Sequence, residues 1–168
     1  MKIACVSSTE RGKIDLLLSD VSDQLQAENA SLVGIVKAQN YASSFENGCD
    51  MKVRVLPEGP LIKITQELGA GSGACRLDPG AIANAVSNVE ASSFDQVDLF
   101  ILNKFGPEEA AGRGFCSVIG TALEHEIPVL VGVSAANISA FDAFAGGLAV
   151  TLADDEKAIL GWFRKNQR

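Results

Sequence analysis

The order of apolar and polar positions divides the chain into short apolar runs separated by longer helical stripes. Ile3-Ala4-Cys5-Val6 is a continuous apolar run and predicts a buried strand. Ile14, Leu17, Leu18, Val21 and Leu25 then recur at helical spacing, predicting an amphipathic helix of about four turns that ends near Asn29. Leu32-Val33-Gly34-Ile35-Val36 predicts a second strand, covered on both faces. Strand, helix and strand within about 35 residues make a βαβ unit with a right-handed crossover.

The pattern changes after Gln39. A polar stretch to Asp50 reads as a loop. Met51 to Leu56 alternates with period two, Pro57-Glu58-Gly59-Pro60 marks a turn, and Leu61 to Thr65 is a further short strand. This predicts an antiparallel hairpin added to a sheet edge, with Lys52, Arg54 and Lys63 facing outward. Four glycines between Gly69 and Gly80 exclude regular structure there. Asp78-Pro79 is then expected as the cap and first position of a helix through Ile82, Val86 and Val89.

Asp98-Leu99-Phe100-Ile101-Leu102 is the most apolar strand and is expected at the centre of the sheet. Pro107-Glu108-Glu109 opens a helix that Gly112-Arg113-Gly114 interrupts, and Phe115, Val118, Ile119, Ala122 and Leu123 form its core stripe. His125, the single histidine, falls at the far end of this helix. A strand from Pro128 to Val133, an exit loop from Ser134 to Asn137 and a short helix from Ile138 to Phe144 follow. The last strand runs from Leu148 to Leu152. Asp154 is expected to cap a C-terminal helix that buries Ile159, Leu160, Trp162 and Phe163. These elements predict one α/β domain over 1–168, with a mainly parallel sheet, helices on both faces and an inserted hairpin.

Composition narrows the function classes. Hydrophobic residues are 47% of the 168, so a packed core is expected. The net charge of −7 and pI of about 4.7 disfavour nucleic acid and anionic membrane as partners. The basic cluster Arg164, Lys165 and Arg168 reads as a solvated helix end. No apolar run reaches ~18 residues, and the start lacks the pattern of a signal peptide. The expected location is the cytoplasm. Cys5, Cys49, Cys75 and Cys116 lack C-x-x-C spacing, which argues against a zinc or dithiol site. Cys5 and Cys116 are expected in the core, while Cys75 sits in the glycine-rich loop.

Three places carry candidate chemistry. The first is the turn from Ser7 to Asp15, where a strand feeds a helix N-terminus. Unpaired N–H groups and the helix dipole make such a corner receptive to anions. On the phosphate-loop pattern G-x-x-x-x-G-K-[ST], Gly12 and Lys13 match, Ser7 replaces the first glycine, and Ile14 replaces the metal-binding hydroxyl. The turn is therefore a degenerate phosphate loop or a chance match. The second is the Gly71-Ser72-Gly73-Ala74-Cys75-Arg76 loop, a ligand loop or an ordinary surface loop, with Arg76 suited to an oxyanion. The third is Asn103-Lys104, at the carboxyl end of the central strand where α/β proteins place ligands, or simply a polar strand-end turn. Asn103 stands where a metal-directing aspartate would be, and the guanine motif N-K-x-D fails because its last position is Gly106.

Leu102-Asn103-Lys104-Phe105-Gly106, Glu109, Gly112-Arg113-Gly114-Phe115, Gly71 to Asp78, and Phe144-Ala145-Gly146-Gly147 together resemble a small bacterial family of unknown function. That family is associated with molybdate and iron transport operons and is similar to the P-loop nucleoside triphosphatases. The resemblance implies a three-layer P-loop-NTPase-like α/β fold and a molybdenum-related setting, without an established reaction. The leading expectation is a protein that binds an oxyanion or nucleotide (molybdate and phosphate being alike in shape and charge). Its site would use Ser7, Gly12, Lys13, Gly71, Ser72, Gly73, Cys75, Arg76, Asn103, Lys104 and Arg113. A weak magnesium-dependent nucleoside triphosphatase is the alternative, with Asp15, Asp78 or Glu109 holding metal or water. A third is an interaction subunit without ligand. The expected partner is a small anion, with a second copy or a molybdenum-transport or regulatory protein also in view.

Overall fold

The computed structural model describes residues 2–41, 50–66 and 76–167, with the backbone alone at Arg76. Its elements are β1 (Ile3–Val6), α1 (Lys13–Ala27), β2 (Leu32–Lys37), β3 (Lys52–Leu56), β4 (Leu61–Lys63), β5 (Thr65–Gln66) and β6 (Arg76–Leu77). They continue with α2 (Pro79–Glu90), β7 (Leu99–Phe105), α3 (Pro107–Ala110), α4 (Cys116–Glu124), β8 (Val129–Val133), α5 (Ile138–Phe144), β9 (Val150–Leu152) and α6 (Glu156–Asn166).

The main sheet runs β4-β3-β2-β7-β8-β1-β9. Strands β2, β7, β8, β1 and β9 are parallel, while β3 and β4 add antiparallel at one edge as the inserted hairpin. The central position of β7 follows from its composition: every position from Leu99 to Asn103 is buried. Its side chains alternate between two cores. Leu99 and Ile101 meet Leu18, Val21 and Leu25 of α1 and Ile159 and Phe163 of α6. Phe100 and Leu102 meet Ile82 and Val89 of α2, Ile119 of α4 and Phe141 of α5. Three layers result, and the continuously apolar strands are explained by burial on both faces. Among the described residues no helix is long and apolar enough to cross a membrane.

Three local expectations need correction. The cap of α6 is Asp155, whose carboxylate accepts the Ala158 N–H at 2.8 Å; Asp154 is turned to another partner. The hairpin cations are not simply in solvent. Arg54 pairs with Asp23 on α1, and Lys63 lies 3.5 Å from the buried Asp50 carboxylate. Cys116 is only half buried, at the start of α4, where its thiol donates to the Glu109 carbonyl at 3.3 Å. His125 does stand at the C-terminal end of α4, tilted against Phe94.

The break between α3 and α4 is held by one buried side chain. Glu109 accepts the Gly106 N–H at 2.9 Å through one oxygen and the Phe115 N–H at 3.0 Å through the other. Gly114 sits beside it with φ of 56°, and a Cβ there would lie 2.1 Å from Oε1 of Glu109. Both the left-handed backbone and the carboxylate exclude a side chain. Gly114→Ala is expected to lose about 2 kcal/mol or more, lowering the midpoint of thermal unfolding by roughly 4–8 °C. An unchanged midpoint in a calorimetric melt would show that Glu109 is not held as described.

Candidate anion-binding site

The parallel strands end on one edge of the sheet, so their carboxyl ends bring distant residues together. β1 leads into the 7–12 loop, β2 ends at Lys37, β7 carries Asn103 and Lys104, and β8 leads to Ser134. The crossovers diverge at this edge. The connection from β1 passes through α1 on one face, and that from β8 passes through α5 on the other. Such a divergence leaves a crevice at the strand ends.

The loop before α1 is built from local bonds. Ser8 Oγ accepts the Glu10 N–H at 3.2 Å, and the Glu10 carbonyl accepts the Lys13 N–H at 3.3 Å. Gly12, at φ 80°, turns the chain into the helix, and no side chain caps it. By contrast, Asp78 caps α2 through the N–H groups of Gly80 and Ala81. With the Lys13 N–H taken by Glu10, the Ile14 and Asp15 N–H groups of α1 are left for another acceptor. This helix end lines a cavity of about 180 Å³, together with residues 8–11, Asn103, Lys104 and residues 132–135. A larger space of about 440 Å³ shares Arg11, Gly12, Asp15, Asn103 and Lys104. It continues between apolar side chains that include Ile35, Val53, Ile64, Leu77, Ile82 and Phe115.

Three residues from three elements close a ring at the base of the crevice. Asn103 Nδ2 donates to Asp15 Oδ1 at 3.0 Å. Lys37 Nζ donates to Asp15 Oδ2 at 3.2 Å. The Lys37 backbone N–H donates to Asn103 Oδ1 at 3.0 Å. Asn103 is buried, and the Asp15 side chain is 13% exposed. Each Asp15 oxygen therefore already accepts a bond, one of them from an ammonium.

Lys13 is held away from the crevice. Its ammonium lies 2.9 Å from Asp154 and 3.4 Å from Glu10, and it lines neither cavity. The Asp154 contact, ahead of Glu10, raises the Lys13 pKa, although desolvation opposes it. The Ser8 hydroxyl first, and Lys13 second, hold the Asp154 carboxyl below its ordinary value. Arg11 and Lys104 differ: both are exposed, both line both cavities, and neither side chain has a partner among the described residues.

Of the residues expected from sequence, Gly12, Asn103 and Lys104 come together here. Ser7 lines neither cavity. Arg113 is turned outward, bidentate to Glu108 at 2.8 and 3.2 Å, and holds that carboxyl below its ordinary value. Gly71, Ser72, Gly73 and Cys75 lie outside the described residues, as does the Arg76 side chain. Sequence reasoning missed Arg11 and Lys37. Arg11 had a signal, its place directly before the turn glycine. Lys37 had none beyond ending a strand.

A three-layer sheet with an uncapped helix after its first inner strand, and cations around that corner, defines a P-loop-like α/β protein. The chain belongs to the family described as protein of unknown function DUF2478, whose model matches residues 3–162. It is 33% identical over 165 residues to the molybdenum import ATP-binding protein ModC 2 of Bradyrhizobium diazoefficiens. That match covers 97% of this chain but 18% of the relative, so the chain spans less than a fifth of the relative's length. A human cancer-related nucleoside triphosphatase, known from a solution structure, has the same fold. Its TM-score is 0.62 at 11% identity, over 98% of this chain and 95% of that one.

The Asp154 pairing makes a prediction about acid. A depressed carboxyl stabilises the fold fully above its unfolded value of 3.8, and that contribution is lost as pH falls through the folded value. Carbon-detected NMR is expected to place the Asp154 midpoint below 3.8. In Lys13→Ala it should rise only part of the way, because the Ser8 contact remains. A midpoint at the ordinary value in the unaltered protein would remove the Lys13–Asp154 pairing.

Proposed function

We propose that the protein binds a phosphate-like oxyanion, free or as part of a nucleotide, at the Arg11–Gly12 corner, and that it serves molybdenum handling in the cytoplasm. The observation that carries this is the pair Arg11 and Lys104, two cations with no partner among the described residues, lining both cavities beside an uncapped helix end. Backbone N–H groups, a guanidinium and an ammonium suit phosphate and molybdate alike. The larger, apolar-walled cavity lies within the range of about 300–1,000 Å³ common for small-molecule sites, which favours a ligand with a nucleoside body. The ATP-binding protein named for molybdenum import supports the same setting, although the part matched here is a small fraction of it. A molybdenum-transport or regulatory protein is the partner class this setting implies, with self-association as the other.

Thermal melting against ATP, GTP, molybdate, tungstate and phosphate, with and without magnesium, tests the reading. A ligand at about 100 times its Kd adds roughly 2.7 kcal/mol, a shift on the order of 5–10 °C for a chain of this size. No shift with any of them would favour an interaction subunit instead. Magnesium-dependent phosphate release from ATP would replace binding with weak triphosphatase activity.

The variants are ranked by the geometry. Arg11→Ala and Lys104→Ala should each weaken binding by about tenfold or more, as loss of a charge-assisted contact does. Lys13→Ala should weaken it less, because two carboxylates already hold that ammonium. A titration in which Lys13→Ala abolished binding and Arg11→Ala did not would reverse the assignment.

A further inference from the structure

A phosphate loop of the usual kind works through magnesium, which asks for oxygen ligands at about 2.0–2.1 Å in near-octahedral array. The residues here do not fit that ion. Ile14 presents hydrocarbon where the hydroxyl ligand would stand. The Asn103 amide oxygen is taken by the Lys37 N–H, and its NH₂ group faces Asp15. Asp15 is the carboxylate bonded to Asn103, and the Lys37 ammonium lies 3.2 Å from one of its oxygens. A divalent cation placed there would meet that ammonium at close range, an unfavourable encounter in a half-buried place. The Lys37 side chain is still 33% exposed and lines the same cavity as Arg11 and Lys104.

We propose that Lys37 takes the part of the divalent cation at this site. It neutralises Asp15 and presents positive charge to the bound oxyanion, so that binding needs no magnesium and is weakened when magnesium masks the ligand's charge. This rests on the oxyanion-site reading above. The other carboxylates lining the two cavities are already bonded, Glu10 to Lys13, Asp50 to Lys63 and Glu109 to two backbone N–H groups, which leaves the balance at Asp15 to Lys37. With Lys37 in place, the Asp15 carboxylate is balanced and an incoming anion meets Arg11, Lys104 and the Lys37 ammonium. Without Lys37, a bare carboxylate would stand in the crevice and repel the anion. Magnesium would then have both a vacated position and a free carboxylate to bind.

The test is isothermal titration of ATP and of molybdate, each in EDTA and in magnesium, with the sign read on whichever ligand binds. The unaltered protein should bind at least as tightly in EDTA as in magnesium. Lys37→Gln should lose about tenfold in EDTA and regain affinity on adding magnesium, a reversal of sign. Lys37→Arg, which keeps the charge, should retain the original sign. The double variant Asp15→Asn, Lys37→Gln should lose the magnesium response, because the carboxylate that would hold the ion is gone. Circular dichroism on each variant separates loss of fold from loss of charge, and a merely structural Lys37 would lower stability without reversing the sign. Binding by the unaltered protein that requires magnesium would overturn this inference while leaving the oxyanion site standing. Equal magnesium responses in Lys37→Gln and the unaltered protein would also overturn it. Failure of every ligand in every arm would remove the oxyanion site, and this inference with it.

Discussion

The site depends on how one carboxylate is kept satisfied. Asp15 is largely withdrawn from water in the first turn of α1, where an unpartnered carboxylate would cost several kcal/mol. Its partners come from the ends of two neighbouring strands, Lys37 on β2 and Asn103 on β7. The ring therefore ties α1 to the sheet edge at the point where the crevice opens. It also fixes Asn103 from both sides, because the amide that donates to Asp15 accepts from the Lys37 backbone. The helix end that would face an anion is positioned by this ring and by the Leu18, Val21 and Leu25 contacts beneath it.

Around that ring the charges divide into two groups. Glu10, Lys13 and Asp154 neutralise one another, with Ser8 and Lys13 keeping Asp154 ionised, and of the three only Glu10 lines the smaller cavity. Arg11 and Lys104, which line both cavities, have no such partners among the described residues. An anion approaching Lys13 meets two carboxylates first. An anion approaching Arg11 and Lys104 meets two cations, and the carboxylates that share their cavities are already bonded, Asp15 to Lys37 and Asn103, Glu10 to Lys13, Asp50 to Lys63 and Glu109 to backbone N–H groups. Proximity in sequence to Gly12 is thus a poor guide to which cation is available. A total charge of −7 does not oppose the site either, since screening over about 10 Å leaves the local arrangement in control.

Much of the fold was legible because both faces of the parallel strands are covered. The continuous apolar runs at 32–36 and 99–102 fit a doubly covered strand, whereas a strand with one wet face would alternate. The hairpin was legible from the period-two alternation of Val53 and Val55 and from the proline-rich turn. The misplaced cap had a physical cause: Asp154 and Asp155 are adjacent, both can cap, and Asp154 is engaged instead by Ser8 and Lys13, more than a hundred residues earlier. The outward cations of the hairpin were misjudged for the same reason, since Asp23 and Asp50 reach them only through tertiary packing. Lys37 was invisible because a lysine ending a strand is ordinarily a solvated residue. What gives it a role is Asp15, 22 residues away in sequence and brought close by a crossover.

The segment from Asn103 to Phe115 shows why a recognisable run of residues need not be one functional unit. Asn103 and Lys104 face the crevice, the first inside the Asp15 ring and the second beside it with no partner among the described residues. Glu109 also lines the larger cavity, but its oxygens, like the place of Gly114, serve the backbone. The carboxylate satisfies two N–H groups across the α3–α4 break, and the glycine leaves room for it. Arg113 points away and pairs with Glu108. These roles are still coupled, because the Gly106 N–H held by Glu109 lies directly after β7, the strand that carries Asn103 and Lys104. A rigid turn there fixes the end of the strand, and with it the two residues that face the crevice. Glu109 therefore bears on the crevice through its bonds to the Gly106 and Phe115 N–H groups.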